Sequence, residues 1–246
     1  MENIQNIIEY YDELFPVSES QKDFFKNFTT DFLQPLKYLR INCRTGVFEN
    51  YLAKEGIDVT GVDSCAEILH SANLKKHSQF ESIRFFQMKY EDIARYLGKG
   101  FYNVIACLNS SIVFFKDLNL IEKFFTDAKK LLTEKGKLVL ELYNFSNYKG
   151  KSMIQLPVRE SLRVKLFSEI SATGKRENEF VLAQNLETGN GRLLQIMNNV
   201  PVCLIFPDEI KELAKKAGFK NTEFYADYKK SPFSSDSQKL VAVLSL

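Results

Sequence analysis

The stretch from Leu36 to Asp63, LKYLRINCRTGVFENYLAKEGIDVTGVD, constrains the fold of this chain more than any other. Leu39, Ile41 and Cys43 form a short apolar run that stops at Thr45-Gly46. Val47, Phe48, Tyr51 and Leu52 follow at i, i+1, i+4 and i+5, the spacing of one helix face. Gly56 stands where a helix C-cap belongs. Ile57, Val59 and Val62 then lead a second strand into Asp63. Strand, helix and strand within about thirty residues predict a right-handed βαβ unit of a parallel sheet. Such a unit can hold a nucleoside at two places, the turn after its first strand and the acid that ends its second.

The rest of the chain extends this unit. Ile4, Ile7, Ile8, Tyr11 and Leu14 predict one helical stripe from Met1 to Phe15, closed by Pro16. Ser18 with Gln21 three residues on starts a second helix, whose apolar face is Phe24, Phe25, Phe28 and Phe32. A helix over Ala66 to Leu74 follows Asp63. Ile83 to Met88 and Phe101 to Leu108 predict the third and fourth strands, the latter apolar throughout as a buried parallel strand should be. An amphipathic helix runs from Leu118 to Leu132 and ends at Lys135-Gly136. Lys137 to Leu142 is the fifth strand. Between Val158 and Val200 three extended segments surround Thr188-Gly189-Asn190-Gly191, a tight-hairpin signal. Pro207 opens a last helix that Gly218 closes, and two final strands form an antiparallel pair. The fold class is therefore α/β: a Rossmann-like, seven-stranded, mostly parallel sheet with helices on both faces and an inserted antiparallel meander. A single domain of residues 1–246 is expected, with an N-terminal helical lid over 1–35 and the inserted β subdomain over 154–206.

Composition narrows the function classes. The 33 basic and 31 acidic side chains nearly cancel, and there is no basic stripe or aromatic-basic interleaving, so no nucleic-acid partner is expected. No apolar run is long enough to span a bilayer and no signal sequence is visible, which predicts a soluble cytoplasmic protein with no membrane partner. Cys43, Cys65, Cys107 and Cys203 lie far apart and read as reduced thiols. His70 and His77 are seven apart, whereas a helical metal pair wants a spacing of four and a carboxylate, so no metal site is expected.

The same stretch resembles the cofactor half-site of the class I S-adenosylmethionine-dependent methyltransferases. There the first strand runs into a turn of the form D-L-G-C-G-T-G, and Arg40-Ile41-Asn42-Cys43-Arg44-Thr45-Gly46 aligns with it, matching at Cys43, Thr45 and Gly46. Gly61-Val62-Asp63 and the following SCAEIL match well. Tyr11-Asp12-Glu13-Leu14-Phe15-Pro16 is similar to the family's lid segment Y-D-x-x-F-P, which makes Tyr10, Tyr11 and Phe15 candidates to line the cleft. Tyr225-Ala226-Asp227-Tyr228, Pro232-Phe233 and Asp236-Ser237-Gln238-Lys239-Leu240 resemble the family's ending. The resemblance implies S-adenosylmethionine as cofactor, with Asp63 as the ribose acid and Ser64, Asn42, Cys43, Arg44, Thr45, Gly46, Met88, Lys89, Tyr90, Asn109, Ser110 and Tyr11 around the cofactor. It implies a small-molecule acceptor, with Phe15, Tyr143, Asn144, Phe206 and Tyr228 as pocket walls. No catalytic residue is assigned, because the sulfonium is already activated and the protein's task is positioning.

Three positions depart from the family. Arg40 stands in place of an acid, Arg44 in place of a glycine that lets the backbone approach the ligand, and Lys89 in place of the adenine-facing acid, for which Glu91 or Asp92 could substitute. S-adenosylmethionine carries a net positive charge. At ~4 Å two like charges repel by about 4 kcal/mol at an effective dielectric of 20, roughly a thousandfold in affinity if unrelieved. Relief would come if Arg44 swung away or paired with the methionyl carboxylate; alternatively both arginines point to solvent. Three readings follow: a methyltransferase acting on a small molecule, a methyltransferase-like binding or partner protein that has lost its cofactor, or a binder of an anionic cofactor analogue. A dinucleotide dehydrogenase is disfavoured by the absence of G-x-G-x-x-G.

Overall fold

The computed structural model describes residues 3–76, 82–174 and 179–246. Strands β1 (Lys37–Ile41), β2 (Asp58–Asp63), β3 (Ile83–Gln87), β4 (Tyr102–Cys107) and β5 (Leu132–Tyr143) are followed by β6 (Met153–Gln155), β7 (Arg159–Glu160), β8 (Val164–Ala172), β9 (Phe180–Thr188) and β10 (Leu193–Val202), then by β11 (Asn221–Tyr225) and β12 (Lys239–Ser245). The helices are α1 (Gln5–Ile8), α2 (Tyr11–Leu14), α3 (Glu19–Lys26), α4 (Val47–Lys54), α5 (Ala66–Leu74), α6 (Ile93–Tyr96), α7 (Leu118–Leu131) and α8 (Pro207–Ala217). Among the described residues, seven strands form one sheet in the order β11-β12-β5-β4-β1-β2-β3. The neighbours from β5 to β3 are parallel, and β12 is antiparallel to both β11 and β5. A second, antiparallel sheet runs β10-β9-β8-β6, with β7 also paired to β8.

The period of two along each strand sorts the core into two layers. Leu39 and Ile41 of β1, Ile105 and Cys107 of β4, and Leu240, Ala242 and Leu244 of β12 face α7, α8 and the second sheet. Tyr38 of β1, Val104 and Ala106 of β4, and Val241 and Val243 of β12 face the other way, against Phe24, Phe25 and Phe28 from the α3 region and Phe48 and Leu52 of α4. Arg40, two residues after Tyr38, shares this second face. The Thr188–Gly191 turn closes as expected, with the Gly191 N–H donating to the Thr188 carbonyl at 2.8 Å and Gly191 at φ 78°.

Two elements differ from the sequence reading. The N-terminal stripe is two short helices, not one. The Asn3 N–H donates to the Ile196 carbonyl at 2.7 Å, which holds the start of α1 against β10. Arg163 ties Glu9 and Glu13 at 2.8 and 2.5 Å and holds α2 against β8. The helix breaks at Tyr10, between the residues that these two anchors hold. The second difference is at β5, which starts at Leu132, directly after α7, not at Lys137. Leu132 pairs with Tyr102, a register shift follows, and the tight approach at Gly136, where a Cβ would lie 2.7 Å from the Leu132 Cβ, lets the strand resume.

Phe25 is the centre of the second layer, with ring centroids at 5.3 Å from Phe24, 5.7 Å from Tyr38 and 5.2 Å from Phe48. Phe25→Ala should cost about 3–5 kcal/mol, read as a lowered urea midpoint at unchanged slope. Leu33→Ala, at a side chain 93% exposed, should stay within about 0.5 kcal/mol of wild type.

Candidate active site

The loop after β1 curls through three left-handed residues, Asn42 at φ 52°, Arg44 at φ 55° and Gly46 at φ 69°. Asn tolerates this conformation better than most residues; Arg44 is held in it by a donated bond from its backbone N–H to Asp63 Oδ2 at 3.1 Å. The other carboxylate oxygen of Asp63 accepts the Cys65 N–H at 3.1 Å. Asp63, 1% exposed, thus braces the loops after β1 and β2 against each other. Each carboxylate oxygen keeps further lone-pair capacity, and Asp63 still lines the hollow in front of it.

The loop after β4 is built the same way. Asn109 and Ser110 are both at φ 55°. Glu141 of β5, 3% exposed, accepts the Asn109 N–H at 2.6 Å and the Lys239 ammonium at 3.0 Å. Burial pushes the Glu141 carboxyl up, but Lys239 and these hydrogen bonds outweigh it and hold the group below the ordinary range. Ser110 Oγ accepts the Tyr143 N–H at 3.0 Å.

Arg40 does not point to solvent. It is 3% exposed and faces α4, where its guanidinium lies 3.8 Å from Glu49, itself 2% exposed. Burial raises the Glu49 pKa against the pull of Arg40, and Glu49 Oε1 has no hydrogen-bond partner. The first strand thus carries Arg40 where the resemblance expects an acid, and a buried acid stands on the following helix. Tyr11 covers this hollow from α2. Its phenol is pushed up by burial, with Arg44 and Arg40 opposing the shift. Asp12 fastens the lid by accepting the Thr45 hydroxyl at 2.5 Å and pairing with Lys75.

Four hollows that share lining residues result. Ser64, Met88, Lys89 and Asp92 line a rim by β3, so the carboxylate available there is Asp92. Asn42, Arg44, Asp63, Ser64 and Tyr90 line the next; the Tyr90 ring stacks on Phe115 at 3.6 Å. Tyr11, Arg40, Cys43, Arg44, Thr45, Gly46 and Glu49 line a third, beneath the lid. The fourth is a cavity between the lid, the sheet edge and the inner face of the second sheet, about 780 Å³ including its solvent-open part. Phe15, Tyr143, Asn109 and Ser110 line it together with Arg44.

Three expected pocket walls are elsewhere. Asn144, 1% exposed, donates to the Ser235 and Ser237 carbonyls at 2.8 and 2.9 Å and so fixes the loop before β12. Tyr228 packs edge-on against Phe24 at 5.4 Å, on the opposite face of the sheet from the cavity. Phe206 caps α8, its N–H donating to Glu209 Oε2 at 2.8 Å. Tyr10 lies under the Arg163 guanidinium at 4.7 Å and does not line the cavity. Four residues were missed. Glu49 was hidden because a charged residue on a helix reads as solvated; only its phase relative to Arg40 could have exposed it. Arg159, Ser168 and Gln184 line the cavity from the second sheet, and strand periodicity alone does not say which face of a meander turns inward. Among the described residues no three His, Cys, Asp or Glu side chains could hold a metal ion, and no helix is long and apolar enough to cross a membrane. His70 is exposed on α5 and His77 lies outside the described residues. The four cysteines are free thiols.

Removing one member of a buried ion pair costs about 3–5 kcal/mol, because the other charge is stranded, whereas replacing both is often close to neutral. Glu49→Leu should therefore destabilise the protein by that amount in chemical denaturation. Adding Arg40→Met to it should recover most of the loss.

Comparison with known proteins places this geometry. The sequence matches the model of a methyltransferase-domain family over residues 11–223. A relative from Geobacillus sp. (strain WCH70), provisionally described as a methyltransferase, is 24% identical over 245 residues, covering 95% of this chain and 96% of its own. Among solved structures, the CcbJ methyltransferase of Streptomyces caelestis superposes with a TM-score of 0.81 at 16% identity, covering 99% of this chain and 96% of its own. CalS10, an amino pentose methyltransferase of Micromonospora echinaspora solved with S-adenosylmethionine bound, gives a TM-score of 0.69 at 13% identity, covering 98% of this chain and 97% of its own. With the family model spanning most of its length and the strand order of the fold intact, the chain belongs to the class I methyltransferase family.

Proposed function

We propose that the protein transfers a methyl group from S-adenosylmethionine to a small-molecule acceptor held in the cavity beneath the second sheet. The observation that carries this reading is continuity. Ser64 is shared by the rim and the Asp63 hollow, and Arg44 by the Asp63 hollow, the space under Tyr11 and the cavity. A nucleoside, an amino acid and an acceptor would lie along this row of adjoining hollows.

The residues present fit the cofactor in charge. Arg40 faces Glu49, and Arg44, whose guanidinium lies over the Phe114 ring at 5.6 Å, lines the same hollow as Asp63, so the formal charges of these four side chains sum to zero. The repulsion that the sequence alone suggested is offset, and the unpartnered Glu49 Oε1 suits an ammonium. Loss of the cofactor finds no support in hollows that stay open, nor an anionic analogue in an end already balanced. S-adenosylmethionine would supply a methyl group already activated on sulfur. The chain's part is to bind and orient: Asp63 at the ribose, Ser64, Met88, Lys89 and Asp92 around the adenine, and Asn109, Tyr11 and the Asn42–Gly46 loop at the methionine end. Tyr11 and Phe15, stacked at 4.5 Å, would exclude water from the junction with the acceptor. The small-molecule class is supported by a mainly apolar cavity at the sheet edge and by the sugar and natural-product chemistry of structural neighbours.

Titration calorimetry with S-adenosylmethionine should give saturable binding to the folded protein. Asp63→Asn should weaken it about tenfold or more, the loss expected for a charge-assisted hydrogen bond. Absence of heat at millimolar ligand from folded protein would remove the assignment.

A further inference from the structure

We infer that the acceptor is an anion with an apolar body, its negative group taken by Arg159; this rests on reading the cavity as the acceptor pocket. The cavity walls are mainly aliphatic and aromatic, and its only charged lining residues, among those described, are Arg44 and Arg159. Both are cations. No carboxylate lines it.

Arg44 belongs also to the hollow that Asp63 lines, and so is accounted for at the cofactor end. Arg159 is not. Its guanidinium lies 4.5 Å from the Phe15 ring centre and 5.8 Å from that of Tyr143, and its one side-chain hydrogen bond among the described residues, to the Leu14 carbonyl, is long at 3.5 Å. Each nearby carboxylate has another cation as its contact partner, and Arg159 acts on Glu141 through space only, helping to hold its carboxyl low. Glu13 pairs with Arg163 at 2.5 Å, Glu160 with Lys165 at 3.7 Å, and Glu141 with Lys239 at 3.0 Å. A guanidinium gripped by two aromatic faces keeps its planar N–H fork available for a bidentate carboxylate or sulfonate. The stacking also fixes its position, so little side-chain freedom remains to be lost on binding. At the same cavity wall Gln184 donates to Ser168 at 2.8 Å, a neutral polar pair suited to a hydroxyl or amide, not to a second charge.

The same arrangement selects against protonated amines. A cationic acceptor would meet two guanidiniums and no acid. The acceptor class here therefore differs from the amino sugar named for the structural neighbour.

The test uses the full chain and a matched set of probes: 3-phenylpropionate, 3-phenylpropanamide and 3-phenylpropylamine, with affinities from ligand-observed NMR. The carboxylate should bind about tenfold or more tighter than the amide, and the amine most weakly. Arg159→Gln should abolish the preference and Arg159→Lys should keep part of it, while S-adenosylmethionine affinity stays within about threefold in both. No carboxylate preference in the wild type overturns the inference, as does a preference that survives Arg159→Gln. A parallel loss of cofactor affinity in Arg159→Gln would assign Arg159 to the cofactor's own carboxylate and overturn it too. If Arg159→Gln does not fold, the wild-type comparison and Arg159→Lys decide. Failure of the wild type to bind S-adenosylmethionine would instead remove the proposed function, and the probe comparison would still report on the cavity.

Discussion

A guanidinium buried in the central strand of a parallel sheet is tolerable only if a counter-charge is buried with it. The effective cost of desolvating an ion inside a protein is several kcal/mol, comparable with the whole stability of a domain. Arg40 meets this constraint through Glu49 on α4, 3.8 Å away. The pair is loose: Glu49 Oε1, the oxygen that faces Arg40, accepts no hydrogen bond. With the pair come the position of α4 against β1 and a buried carboxylate in the wall of the hollow beneath Tyr11.

The architecture could be read from the sequence because it depends on periodicity, and periodicity is local. The βαβ unit, the extent of α5, the antiparallel closing pair and the hairpin at Thr188 all follow from spacings within a few residues. The two misread boundaries depend on contacts far along the chain. α1 is held by β10 and α2 by β8, and no pattern within residues 3–15 records those anchors. β5 begins early because Leu132 finds Tyr102.

The site was legible in the same uneven way. The loops that end β1, β2 and β4 come together at one edge of the sheet because that follows from its topology. The contacts their side chains make do not follow from it. Asp63 is as much a brace for its neighbouring loops as a candidate ligand, and Asn144 fixes a loop from a position that sequence places beside the pocket. Tyr228, on a segment that resembles the family's ending, belongs to the opposite layer with Phe24 and Phe25. Which face a residue serves is set by strand phase and loop path together, and the second of these is not written in spacing.

The altered turn after β1 shows why a degraded motif is weak evidence for lost function. Position by position, the exchange of an acid for Arg40 and a glycine for Arg44 looks disabling. Physically the constraints are different ones. The turn must adopt left-handed conformations, which Asn42 and Arg44 do with the Arg44 N–H held by Asp63. The local charge must sum to a value that a net-positive ligand can accept, which Glu49 secures from another element. The backbone must leave room in front of the turn, and hollows adjoin there from Met88 to the cavity through shared lining residues. A motif records one solution to these requirements. Here a buried acid stands on the helix beside Arg40 and not on the strand.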